Sequence, residues 1–267
     1  MGAALKKHWP EYLIEAACLG VFMISACTFA ALLGHPDSPI QMKLMGGIHQ
    51  RTVMGVAMAL TLIGIVYSPW GKRSGAHMNP SLTFTFWRLG KVEPWDAFFY
   101  IVFQFLGGIG GVLVARAALG SWVSHPAVQY AATIPGQFGV GIAFVAEVVI
   151  SFVLMITVLT IMNIDSLNRY TGLFAAALVA TYITFESPIS GMSMNPARTV
   201  GSAFSAHIWT ALWIYFTAPL LGMLLAAEAY VRIRGAQAVI CAKFHHMNDQ
   251  PCIFRCGYAA RNSQAAL

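Results

Sequence analysis

Charge is what this sequence lacks. Only 10% of its 267 residues are Asp, Glu, Lys or Arg, while 58% are hydrophobic. Soluble domains carry about 25% charged residues, so this chain has too few to clothe a hydrated surface. That composition argues against a soluble enzyme and against a nucleic-acid-binding domain. Cysteine is scarce and odd in number, at Cys18, Cys27, Cys241, Cys252 and Cys256. Two lie in an apolar run and three near the C-terminus, unlike the disulfide framework of a secreted protein. Motifs of membrane-embedded enzymes are missing too: no His-Glu-x-x-His, no Ser/His/Asp set and no aspartate-rich metal sequence occurs. No catalytic residue, cofactor or metal is therefore expected.

What the chain has is apolar length. A membrane span needs about 20 apolar residues, and six segments qualify: Tyr12–Leu33, Thr52–Pro69, Ala97–Leu119, Phe138–Met162, Thr171–Ile189 and Ile208–Tyr230. Lys6 and Lys7 before the first segment, with Cys27 inside it, mimic a lipoprotein signal. The run continues to Leu33, which suits a span rather than a removed leader. Two further segments, Asn79–Trp87 and Asn195–His207, are helix-like but too short to cross. Each opens Asn-Pro, a good N-cap followed by a residue whose missing N–H is harmless in the first turn. With the N-terminus inside, twelve of the 16 Lys and Arg fall on the cytoplasmic side. Lys43, Arg51, Arg116 and Arg198 remain outside, so both termini are predicted to be cytoplasmic.

An internal repeat sets the architecture. Ser74-Gly-Ala-His-Met-Asn-Pro-Ser-Leu-Thr83 aligns with Ser190-Gly-Met-Ser-Met-Asn-Pro-Ala-Arg-Thr199, identical at six of ten positions and offset by 116 residues. Each copy follows two spans and precedes a third, so the second copy enters the bilayer from the opposite face. Glu15 and Glu147, in the first span of each half, are a second sign of duplication. Non-helical backbone at membrane depth survives only where it is buried or lines a wet cavity. The stretches before Asn79 and Asn195 thus imply a pore, with carbonyls as acceptors and the two Asn amides as donors. Two helix N-termini meeting there repel cations. Such a path suits water or a small polyol and not an ion.

These duplicated Ser-Gly-x-x-x-Asn-Pro motifs, with Arg198 after the second, resemble the aquaporin (major intrinsic protein) family over roughly residues 10–233. Gln104, Gly107, Pro219 and Gly222 add to the resemblance. It implies an all-α membrane fold of six spans and two re-entrant half-helices. The domain plan is an N-terminal segment 1–10, a channel domain 11–233 with inverted halves 11–119 and 138–233, and a cytoplasmic tail 234–267. Pore-lining candidates are His77, Asn79, Pro80, Ser81, Asn195, Pro196, Ala197 and Arg198. The first motif departs from the family pattern, with Ser81 in place of alanine. A second constriction is implied at Arg198, with Ala59 or Leu60, Ile183 and Met192 as its other walls.

A water-selective filter in this family has an aromatic at the first of these walls and a histidine at the second, and this chain has neither. Thr199 stands where glycerol facilitators have Asp, and Ala203, Tyr215 and Phe216 look more like water channels. The expected function is passive, osmotically driven water conduction. The alternative is a facilitator for small neutral solutes such as glycerol, ammonia, hydrogen peroxide or metalloid acids. The resemblance further implies a homotetramer in the plasma (cell inner) membrane. Lipid and the permeating molecule are its expected partners, and nucleic acid is not. The tail contains Cys241, His245, His246, Cys252 and Cys256, which could ligate a soft metal but at a spacing that fits no standard zinc finger, and it is read as a flexible cytoplasmic segment.

Overall fold

The computed structural model describes residues 1–44 and 46–258, and among them all regular structure is helical. The first half contains α1 (Gly2–Gly34), α2 (Pro39–Leu44), α3 (Gly47–Tyr67), α4 (Pro69–Ser74), α5 (Pro80–Arg88) and α6 (Pro94–Leu119). A short α7 (Ser121–Ser124) leads to the second half. That half comprises α8 (Val140–Met162), α9 (Thr171–Phe185), α10 (Ser187–Ser190), α11 (Pro196–Ala206) and α12 (Leu212–Arg234). The two halves match element for element, with α1, α3, α4, α5 and α6 recurring as α8, α9, α10, α11 and α12.

Five helices, α1, α3, α6, α8 and α12, are long and apolar enough to cross a membrane. The sixth span differs from the single segment 171–189 expected of it. α9 has 15 residues and breaks at Glu186 before the four-residue α10. The break has a covalent cause. Pro188 has no N–H for the carbonyl of Thr184, four residues back, and that oxygen accepts a bond from Arg51 Nε at 2.9 Å instead. The N-terminal helix runs the other way, starting at Gly2, ten residues before the predicted span.

Packing follows the duplication. α1 lies along α6, α8 along α12, and α3 against α9 across the two halves. Small residues permit the closest approaches. A methyl group on Gly107 would lie 2.1 Å from the carbonyl oxygen of Ala16, and one on Gly111 would lie 2.4 Å from that of Gly20. Each half-helix is held between both halves, α11 against α6 and α5 against α12.

All seven tryptophans are at least a third exposed and sit near helix ends. Trp9, Trp70, Trp87 and Trp95 lie at the end that carries the N-terminus. Trp122, Trp209 and Trp213 lie at the other end. These are two interfacial belts around an apolar bundle. At the N-terminal end Arg73 Nε pairs with Glu11 at 2.9 Å, and the Tyr12 hydroxyl donates a hydrogen bond to Asp96 at 2.6 Å.

Residues 235–258 do not hang free, contrary to the reading of the tail as flexible. Val239, Ile240, Cys241, Ala242, Lys243, Phe244 and Phe254 are buried. The segment returns to the bundle through Phe244 N–H to the Gly75 carbonyl, Arg255 N–H to Lys91 and Ile240 N–H to Asn163.

Candidate functional site

Each Asn-Pro turn is built the same way. Asn79 caps α5 by accepting from Ser81 N–H at 2.9 Å, and Asn195 caps α11 by accepting from Ala197 N–H at 3.0 Å. With their side-chain oxygens so occupied, the amide nitrogens face the other half. Asn79 Nδ2 donates to the carbonyl of Met194 at 2.7 Å, and Asn195 Nδ2 donates to the carbonyl of Met78 at 2.7 Å. Each –NH2 has a second hydrogen, and both residues border the central cavity.

The backbone before each turn is unusual. Ala76, Met78, Met192 and Met194 all have φ between 48° and 56°, a region that non-glycine residues occupy only when surroundings enforce it. Two buried carboxylates do so. Glu15 accepts from Ser74 Oγ at 2.8 Å, His77 N–H at 3.1 Å, Met78 N–H at 2.6 Å and Gln104 Nε2 at 2.9 Å. Glu147 accepts from Ser190 Oγ at 2.8 Å, Ser193 N–H at 2.7 Å and Met194 N–H at 2.8 Å. Tyr100 and Tyr215 complete the correspondence by donating to the carbonyls of Ser74 and Ser190 at 2.7 and 2.6 Å. With their N–H groups tied to these carboxylates and to the Ser74 and Ser190 hydroxyls, the two stretches have carbonyls left over as acceptors for a solute.

The cavity encloses about 400 Å³ and takes in His77, Asn79, Asn195, Arg198, Ile183 and Met192. Pro80, Ser81, Pro196 and Ala197 are buried behind that surface rather than on it. Arg198 donates from its guanidinium to Thr133 Oγ1, in the loop before α8. Among the described residues it makes no ion pair, with Glu186 or any other carboxylate.

The wall contributed by α3 corrects the counted positions. Arg51, Met54, Met58 and Leu62 line the cavity, and neither Ala59 nor Leu60 does. Helical phase explains this: the lining residues recur every three or four positions, whereas 59 and 60 are turned about 100° and 200° from Met58. Leu60 is 63% exposed on the outside of the bundle. The 51-54-58-62 spacing was the available signal.

Phe244 was also missed, and it borders the cavity at the His77 end. There His77 Nε2 is 2.8 Å from the carbonyl oxygen of Ala242, and its ring is flanked by Phe86 at 5.3 Å and Phe254 at 5.1 Å. Arg255 secures this segment from outside by a two-pronged bond to Glu93 at 2.6 and 2.8 Å. That bonding holds the Glu93 carboxyl below the ordinary carboxylate range.

An inverted repeat whose half-helices meet beside a central cavity, inside an apolar bundle with two aromatic belts, is the architecture of a multi-pass membrane channel. The sequence profile of the major intrinsic protein family matches residues 5–230, and the chain belongs to that family. It is 34% identical over 182 residues to a probable aquaporin NIP-type of Nicotiana alata, covering 67% of this chain and 64% of that protein. The matched stretch thus spans less than two thirds of that relative. It is also 33% identical over 192 residues to glycerol uptake facilitator protein-like 6 of Lactiplantibacillus plantarum, covering 69% of this chain and 85% of that one. Among solved structures, the aquaglyceroporin of Plasmodium falciparum has the same fold. Its TM-score is 0.71 at 18% identity, over 87% of this chain and 99% of that one.

Proposed function

We propose that the chain is a passive facilitator for small, neutral, hydrogen-bonding solutes of the glycerol class, with water sharing the same path. The observation that carries this is the composition of the cavity wall around Arg198. Met58, Ile183 and Met192 line the same cavity as Arg198 and give it apolar surface, and among the described lining residues the one histidine is His77. A polyol has one apolar edge and one edge of hydroxyls. Methionine and isoleucine fit the first, while Arg198, the two Asn amides and the free carbonyls serve the second. Water alone does not call for an apolar wall. The names of the Lactiplantibacillus and Plasmodium relatives point the same way, so the strict water-channel reading of the sequence is the less well supported of the two.

In this reading the channel domain is residues 11–233, followed by segment 234–267. A solute passes Arg198, Met192 and Ile183 and follows the carbonyls before Asn195. It turns at Asn195 and Asn79 and leaves past His77. The residues exchange hydrogen bonds with the solute and do no covalent chemistry. Cations are opposed at the turn by two helix N-termini, each carrying about half an elementary positive charge, and at the mouth by the Arg198 guanidinium. Both termini face the cytoplasm, four copies with one pore each form the assembly, and the location is the plasma or cell inner membrane.

The test is stopped-flow light scattering on proteoliposomes. An impermeant osmolyte should cause fast shrinkage, and glycerol should cause shrinkage followed by fast re-swelling. Fast shrinkage without glycerol re-swelling returns the protein to the water-selective reading, and no flux above empty liposomes removes the channel reading.

A further inference from the structure

The segment after α12 contains a cluster that solute conduction does not use. Cys241, His246, Cys252 and Cys256 bring one possible ligand atom each to within 4.8 Å of one another. Cys241 Sγ lies 3.6 Å from Cys252 Sγ and 3.6 Å from His246 Nδ1, and Cys256 Sγ lies 3.9 Å from that nitrogen and 3.6 Å from His246 Nε2. For tetrahedral zinc with Zn–S about 2.3 Å and Zn–N about 2.0 Å, the S···S edge is about 3.8 Å and the S···N edge about 3.5 Å. The sulfur spacing therefore matches the edge of a zinc tetrahedron, whereas a disulfide would place Cys241 and Cys252 at about 2.05 Å. All three thiols are free.

Two neighbours fit the same assignment. The His246 ring is held parallel to Tyr258, with centroids 4.3 Å apart at 7°, which fixes its orientation. Lys243 is 1% exposed and donates to the carbonyls of Gln250 and Pro251 at 3.0 and 3.1 Å. Among the described residues no carboxylate pairs with it. A buried ammonium needs a compensating anion. Three thiolates and a neutral imidazole around Zn2+ sum to one negative charge; Cys241 is two residues before this lysine, and Cys252 follows Pro251, whose carbonyl the lysine bonds. Thiolate-rich sites select zinc over magnesium or calcium.

We propose that Cys241, His246, Cys252 and Cys256 bind one Zn2+, which fixes the 241–256 loop as a plug on the His77 end of the cavity. The loop contains no helix of its own after the turn at 236–238, so a cross-link has much to supply. Between the ligands it carries two rings to the mouth: Phe244, which borders the cavity, and Phe254, stacked on His77. Release of the metal frees both. The metal site stands independently of conduction, while the plug rests on the channel reading above.

The experiment uses the full chain, purified without a histidine tag or chelator. Elemental analysis should find about one zinc per chain, lost in the double variant Cys252→Ser/Cys256→Ser. Metal-depleted, reduced wild-type protein given Co2+ should develop the strong visible absorption of tetrahedral cobalt–thiolate, a readout that does not depend on any variant folding. Absence of stoichiometric zinc together with absence of that absorption overturns the site, as does zinc retained undiminished by the double variant. In proteoliposomes, a membrane-permeant zinc chelator should raise glycerol and water flux, and added zinc should restore the lower rate. Flux that ignores metal removal overturns the plug. A protein that binds zinc and conducts nothing in either state overturns the plug and the channel reading together, with the site left standing on its own metal analysis.

Discussion

The ring of Phe254 lies parallel to the imidazole of His77, 5.1 Å away and tilted by 5°. His77 belongs to the first Asn-Pro stretch and Phe254 to the C-terminal segment, so a residue after α12 covers a residue of the cavity wall. Replacing Phe254 by alanine removes that cover and leaves the Cys/His cluster intact. The expected outcome is faster solute flux in proteoliposomes at unchanged zinc content. Unchanged flux with an intact fold shows that the ring does not obstruct the path.

The half of the site closest to the two motifs was legible in the sequence. Asn79, Asn195 and Arg198 stand in a pattern written twice, and a repeated motif fixes its own register. Glu15 and Glu147 were visible as a duplicated pair of charges in apolar runs, and the structure gives them equivalent backbone donors, His77 and Met78 for one and Ser193 and Met194 for the other. The α3 wall was not legible because counting back from the first motif across the intervening loop fixes a position to about one residue, while one residue of helix is about 100° of rotation. Met58 in the cavity and Leu60 on the outside are two residues, about 200°, apart. The docking of the tail was not legible either. Intervals of five, six and four between Cys241, His246, Cys252 and Cys256 match neither a helix nor a strand period, and their convergence depends on contacts with Gly75, Lys91 and Asn163.

Glu147→Gln tests whether the buried carboxylate holds the strained strand. The carboxylate accepts three bonds, and a glutamine must turn its own –NH2 toward one of those donors. Leaving one buried donor unsatisfied costs about 1–3 kcal/mol, so the thermal midpoint in detergent should fall. Glu15→Gln should fall at least as far, because Gln104 Nε2 is a fourth donor on that side. Wild-type stability in both variants would mean that the carboxylates do not enforce the positive φ values at Met78 and Met194.

The cavity wall is tested by one pair of substitutions on a single helix. Met58→Trp places a large ring in a cavity of about 400 Å³ and should sharply reduce glycerol flux. Leu60→Trp, two residues on, faces outward at 63% exposure and should leave flux unaltered. Ile183→Trp, from the opposite side, should behave like Met58→Trp. Loss of flux in Leu60→Trp with normal flux in Met58→Trp would reverse the assignment of the wall.

Arg198 combines size and charge at the same place. It follows the second Asn-Pro turn directly, and its guanidinium is anchored to Thr133 Oγ1. Arg198→Ala removes the positive charge and opens the mouth between Ile183 and Met192, so larger neutral solutes should pass and proton leak should rise. Arg198→Lys separates the two effects. It keeps a charge that opposes cations but offers a compact ammonium in place of the planar fork, so proton exclusion should be retained while the size limit shifts. The measurement is a solute size series run beside a pH-dye leak assay in the same vesicles. A size limit and a leak both unchanged in Arg198→Ala would move the constriction away from this residue and leave the Asn79–Asn195 turn as the barrier.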